Sequence, residues 1–264
     1  MFPTRSTDGV DALSVAFLLG AALFGYYLLP LVSLVATQSP AAVVARITSP
    51  EVATAAVTSV TAALVSTVLA VCCGVPLAYW LGRREGWLQT LVTALVVLPL
   101  VLPPVVSGMV LLTVVGPNTL VGRLAAAGGV PLTRSLAGVV LAQTFVASPF
   151  VVVTAKAAFE SVDRSLEHAA RTLGEGRVAT FRRVTLPLAW PGVVAGVTLA
   201  FARAMGEFGA TIMLAYYPRT LPVEIWVSFT TLGLDAAFPV AVVLLCVSVV
   251  TLAVLDRLDS NPLV

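Results

Sequence analysis

The amino-acid sequence predicts an all-α integral membrane protein with six transmembrane helices, and three observations carry that expectation. Hydrophobic residues make up 59% of the 264 positions and charged residues only 11%, with a mean hydropathy of +1.02. Soluble domains hold about 45–50% apolar and about 25% charged residues, so lipid is the natural solvent for the excess. Six stretches are long enough to cross about 30 Å of hydrocarbon, which takes about 20 apolar residues. Finally, the basic residues gather on alternate connections. The whole chain, 1–264, reads as a single membrane domain with no room for a separate soluble one. A net charge of +2 gives no footprint for nucleic acid.

The predicted spans are 12–36, 54–82, 88–115, 136–156, 188–215 and 236–255. Helix is required because backbone groups in lipid must pair within their own segment, and the alternation of a barrel strand is absent. Arg5 and its polar neighbours precede about 25 apolar residues, against about 7–15 in a cleavable signal, so the first stretch reads as a retained span. In the third, Pro99, Pro103 and Pro104 each remove a ladder hydrogen bond. They fit either kinked packing or the wall of a pathway. Cys72, Cys73 and Cys246 lie inside apolar stretches without zinc spacing and read as small buried hydrophobes.

Placing the N-terminus in the cytoplasm puts Arg5, Arg83, Arg84, Lys156, Arg164, Arg171, Arg177, Arg182, Arg183 and Arg257 inside. Arg46, Arg123, Arg134 and Arg219 then lie outside, and Arg203 within a span. The positive-inside rule favours this arrangement, with both termini cytoplasmic.

Residues 157–186 form the longest connection and carry much of the charge. Ser161 to Leu173 has helical spacing, with Val162, Leu166, Ala169, Ala170 and Leu173 apolar; Gly174 and Gly176 then stop the helix. A second helical piece reaches Val184, and Pro187 opens the fifth span. The mixed face suits docking of a cytoplasmic partner better than a merely solvated loop.

In the fifth span Gly192, Gly196, Ala200 and Ala204 recur every four residues, a stripe for close helix approach. Arg203 and Glu207 follow at i,i+4, where opposite charges meet. A lone charge at mid-bilayer costs about 2.5–3.5 kcal/mol. Arg203 lies roughly 17 Å beyond Gly192 at about 1.5 Å per residue, a depth that favours a position facing an internal cavity, where the arginine could attract an anion, over one that snorkels at the outer interface.

The segment Glu167 to Pro187, EHAARTLGEGRVATFRRVTLP, resembles the EAA loop of ABC-importer permeases. Ala169, Ala170, Gly174, Val184, Leu186 and Pro187 fall at the matching spacings; His168 occupies the glutamate position, with Glu167 one residue earlier. Phe201 to Leu214, FARAMGEFGATIML, looks like the fifth-span signature of the molybdate/tungstate/sulfate branch. LPLVLPPVVSG at Leu98 to Gly108 and Ser148-Pro149-Phe150 are similar to that branch too. Tyr216-Tyr217-Pro218-Arg219 departs from it, where relatives have a Gly-Asn-containing turn.

The resemblance implies a type I ABC importer permease fold and a role as transport subunit, not enzyme. Glu167, His168, Ala169, Ala170, Gly174, Leu186 and Pro187 would couple to the ATPase through a cytoplasmic coupling helix. Arg203, Gly206, Glu207, Pro103 and Pro104 would line the path or its gate. No catalytic residue, metal ligand or cofactor is expected on this chain. It has no phosphate-binding loop of the Gly-x4-Gly-Lys-Ser/Thr kind, so ATP and Mg would sit on a separate ATPase pair. The other implied partners are an extracytoplasmic oxyanion-binding protein, a second copy of the chain and the lipid membrane. Sulfate or thiosulfate is the alternative substrate. A secondary transporter driven by an ion gradient is a further alternative, against which the EAA-like loop argues.

Overall fold

The computed structural model describes residues 8–259; Arg5 and the two extreme termini of the expected 1–264 domain lie outside the described residues. The described residues form α1 (Asp8–Ala36), α2 (Pro40–Ile47), α3 (Pro50–Arg83), α4 (Trp87–Val101), α5 (Pro104–Val115), α6 (Leu120–Ala127) and α7 (Leu136–Ser161). There follow α8 (Arg164–Thr172), α9 (Arg177–Thr180), a π-helical turn (Phe181–Thr185), α10 (Leu186–Met205), α11 (Gly209–Ala215), α12 (Leu221–Leu232) and α13 (Leu234–Asp259). No strand occurs among the described residues. Among the described residues five helices are long and apolar enough to cross a membrane, and α4 with α5 together pass the same test as a bent pair, a broken span or a re-entrant loop.

The core is a three-helix slab of α3, α7 and α10, built on small residues. Ala62 groups with Val139 at one end of the slab. A side chain at Gly74 would meet Val151 and Val152, and one at Gly82 would meet Phe159. α3 and α7 therefore run parallel in register. α10 runs antiparallel: a Cβ on Gly192 would strike Ala158, and one on Gly196 would lie 3.2 Å from the Val151 Cα. Ala200 and Ala204 continue the stripe and are fully buried. Lipid tails are as apolar as leucine, so close van der Waals contact, which these small residues permit, holds the helices together. Many large apolar side chains point outward: no part of Ser14–Ala36 in α1 is buried, and Val57, Leu64 and Val68 of α3 are all exposed. Cys72, Cys73 and Cys246 are exposed as well. The expectation of buried cysteines fails because in lipid the outward face of a span is itself apolar.

Two expected spans are not single rods. The third, 88–115, breaks at Leu102–Pro103 with a bend of 120° between α4 and α5. Leu102 is extended (φ −67°, ψ 133°) and so is Pro103 (φ −52°, ψ 135°). Each precedes a proline, whose ring disfavours the helical region for the residue before it. Two consecutive X–Pro bonds therefore force a break where one would kink. The fifth, 188–215, ends its continuous helix at Met205, and Gly206 to Phe208 separate it from α11. At its other end that helix starts early: Arg177–Met205 runs unbroken for 29 residues through the π turn. The expected loop 157–186 is thus helical over most of its length, and Pro187 lies inside a helix instead of opening one. Leu186 donates to the Phe181 carbonyl, an i→i−5 bond. Pro187 has no N–H to give, and the widened turn immediately before it absorbs the mismatch.

Candidate functional site

α3 has 34 residues and spans about 50 Å at about 1.5 Å per residue, so its C-terminal turns project beyond the hydrocarbon. Arg83, in its last turn, reaches across to α8. The Glu167 carboxylate accepts from Arg83 Nε at 3.0 Å and Nη2 at 2.7 Å, and from the Thr185 hydroxyl at 2.7 Å. Arg171 stands 3.9 Å from its other oxygen. Glu167 is buried, so one carboxylate joins the end of α3, helix α8 and the π turn. Charge-assisted pairs of this geometry are the strong ones.

Both ends of α8 are closed by local chemistry. The Asp163 carboxylate accepts from the Ser165 N–H at 2.8 Å as the N-cap. That backbone bond, with a further contribution from the Ser165 side chain, holds its carboxyl below the usual aspartate range. At the other end Gly174 adopts φ +92°. Its N–H reaches the Arg171 carbonyl at 3.0 Å, and the Glu175 N–H reaches Ala170 at 3.1 Å. This is a Schellman closure, which favours glycine at the left-handed position.

With Glu167 turned inward, the apolar stripe of α8 turns outward. Leu166 is 46% exposed and Leu173 85%; Ala169 and His168 are exposed and Ala170 half-buried. The helix is amphipathic in the inverted sense, with its acid inside and its leucines in water. Leu186 does not share this surface: it packs inward against the cluster of Phe159 and Ala189. Pro187 is exposed on α10, beyond the π turn.

The two broken spans meet at their breaks. A side chain on Gly209, at the start of α11, would lie 2.8 Å from Pro104 Cβ; one on Gly108 of α5 would lie 2.8 Å from the Ala210 carbonyl. Only glycine allows that approach. Glu207 spans the α10/α11 break: Oε1 accepts from the Ala210 N–H at 2.7 Å, and Oε2 faces Arg203 in an ion pair that is not an aligned hydrogen bond. The pair closes both helix ends, with a cation in the last turn of α10 and an anion at the start of α11, as the helix dipoles favour. Glu207 is fully buried and Arg203 half-buried, while Gly206, Pro103 and Pro104 are exposed. Ser107 of α5 and Thr211 of α11 are buried with hydroxyls unpartnered among the described residues. At the α3 start, Arg219 pairs with buried Glu224 at 3.0 Å and stacks over Tyr216. Burial lowers the Arg219 pKa, but Glu224 and then Tyr216 outweigh it and raise the balance.

The model for binding-protein-dependent transport system inner membrane components matches residues 74–262. The chain belongs to that family. Among this permease's relatives, the "Probable molybdenum ABC transporter permease protein" of Haloferax volcanii is 59% identical over 98% of this chain and 97% of its own. The molybdenum transport system permease protein ModB of Mycobacterium tuberculosis is 45% identical over 83% of each chain. The molybdate/tungstate transport system permease protein WtpB of Pyrococcus furiosus is 38% identical over 91% of this chain and 93% of its own. A bacterial ABC transporter that imports the polysaccharide alginate superposes with a TM-score of 0.75, at 18% identity, over 97% of this permease and 98% of that chain. The MetNI methionine transporter gives 0.61 at 20% identity, over 76% and 91%. The fold is that of type I ABC importer permeases.

Sequence reading singled out Glu167, His168 and the alanines but missed what pins them. Arg83 lies 84 residues from Glu167 and Thr185 lies 18 away, separations that no spacing rule connects. By sequence alone Arg83 marks only the topology. Glu224 carried a usable signal, a lone acid within the apolar run LPVEIWV.

Proposed function

We propose that this chain is the membrane-spanning subunit of an ATP-driven importer of molybdate and tungstate, working as a pair of identical copies on an ATPase pair. The observation that carries the reading is α8, a helix whose leucines face water because its glutamate is buried. Leaving Leu166 and Leu173 uncovered forgoes about 1.5–3 kcal/mol for each side chain that a partner could fully bury. A cleft on the ATPase is the occupant, with ATP and Mg held there and no cofactor on this chain. The coupling end is cytoplasmic in this reading, since Lys156, Arg164, Arg171, Arg177, Arg182 and Arg183 gather there. The substrate class follows the three relatives' names.

Force on α8 passes through Glu167 and Arg83 into α3, and through the π turn into α10. α10 ends at the Arg203–Glu207 pair, against the α4/α5 break. Pro103, Pro104, Gly206, Arg203 and Glu207 thus form the gate, where a dianion delivered by an extracytoplasmic binding protein meets one half-buried guanidinium. Proteoliposomes with the permease, its ATPase and binding protein test the reading. ATP-dependent uptake of molybdate and tungstate is expected, and Leu173→Glu should abolish co-purification with the ATPase. Uptake driven by an ion gradient without ATP would overturn it, and equal transport of sulfate would reassign the substrate.

A further inference from the structure

We propose that the pocket between the C-terminal turns of α3, helix α8 and helix α9 binds the phosphate of an anionic membrane lipid. The cavity, of about 490 Å³, is lined by Arg83, Arg84, Arg171 and Arg177 together with Tyr79 and Trp80. Arg83 and Arg171 share the single carboxylate of Glu167. Among the described residues Arg84 and Arg177 make no ion pair. Four guanidiniums therefore face the cavity against one buried acid. The aromatic walls hold two of them in place: the Arg83 head lies 5.9 Å from the Tyr79 ring and the Arg84 head 5.8 Å from the Trp80 ring.

The surroundings select a lipid over a free anion. Tyr and Trp at the end of a span mark the headgroup level. Val65, Leu69, Cys72 and Pro76 of α3 are exposed at helical spacing and lead from the apolar part of the span to the pocket. An acyl chain fits that stripe while the phosphate enters the arginine cluster. Basic pockets between helices at this depth are suited to anionic headgroups. The site is separate from the outward stripe of α8, so a lipid there would brace the coupling helix from the membrane side and leave Leu166 and Leu173 free.

The test is calorimetric titration of the full chain, and of its complex with the ATPase, with short-chain phosphatidylglycerol, short-chain phosphatidylcholine and inorganic phosphate. Saturable binding of phosphatidylglycerol alone is expected. A basic residue near an anionic headgroup contributes about fivefold in affinity, so the double variant Arg84→Gln/Arg177→Gln should bind roughly thirtyfold more weakly. Arg84→Lys/Arg177→Lys should recover most of the loss. Equal binding of phosphatidylcholine, unchanged affinity in the glutamine variant, or inorganic phosphate matching the lipid would each overturn the proposal. So would loss of the lipid on adding the ATPase, which would mean that protein covers the pocket. None of these outcomes bears on whether the chain transports molybdate.

Discussion

Replacing Glu167 with alanine should release α8 from the rest of the molecule. The carboxylate is 5% exposed and its partner Arg83 13%, so water screens the pair little. Breaking a buried pair by removing one member costs about 3–5 kcal/mol. The partly open rim at Arg83 argues for the lower end, about 3 kcal/mol, or roughly a hundredfold in the opening equilibrium at about 1.4 kcal/mol per decade. Glutamine keeps an acceptor oxygen for Arg83 and Thr185 but loses the charge, which roughly halves such bonds. Glu167→Gln should therefore cost about half as much, near tenfold. Hydrogen exchange of the full chain in nanodiscs reads this directly: amides of residues 164–172 should exchange about a hundredfold faster in Glu167→Ala and about tenfold faster in Glu167→Gln. Arg83→Ala should resemble Glu167→Ala, and the double variant should be scarcely worse than either single one, the mark of a shared interaction. Unchanged exchange in Glu167→Ala, or fully additive effects with Arg83→Ala, would refute the account of how α8 is held.

Gly174→Val should destabilise the end of α8 by about 1–2 kcal/mol, because a β-branched residue is strained at φ +92°; exchange at Leu173 and Gly174 would rise while the spans stay unaffected. Gly192→Leu should push α10 away from Ala158 and lower the melting temperature in detergent, at an overpacking cost of about 1–3 kcal/mol; an unchanged transition would contradict the packing described. Arg203→Ala leaves Glu207 buried without its cation and should abolish substrate-stimulated ATP hydrolysis while basal hydrolysis persists; wild-type stimulation would remove Arg203 and Glu207 from the proposed gate. The Asp163 cap has a depressed carboxyl pKa. Its stabilisation is present above the ordinary aspartate value and fades as pH falls through the lower folded value. Exchange at Ser165 should rise in that acidic range, and Asp163→Asn, which keeps the acceptor without the titration, should abolish the dependence.

Composition and span lengths determined the membrane class and five of the apolar spans, because hydrophobic excess and helix length answer directly to bilayer thickness. Local chemistry was legible too. Gly174 announced a helix stop, and the Gly192–Gly196–Ala200–Ala204 stripe announced close packing; both depend on neighbours within a few residues. The inward turn of Glu167 was not legible, since its partner Arg83 comes from another helix and Thr185 from beyond two helix ends. Nor was the meeting of the two breaks. Pro103-Pro104 and Gly206-Glu207 each signal a local interruption, but only the packing of Gly108 against Ala210 and of Gly209 against Pro104 decided that they abut. Sequence governs what a segment does with its own backbone. Which side chains share a buried space is set by the relative placement of whole helices, and that belongs to the tertiary structure alone.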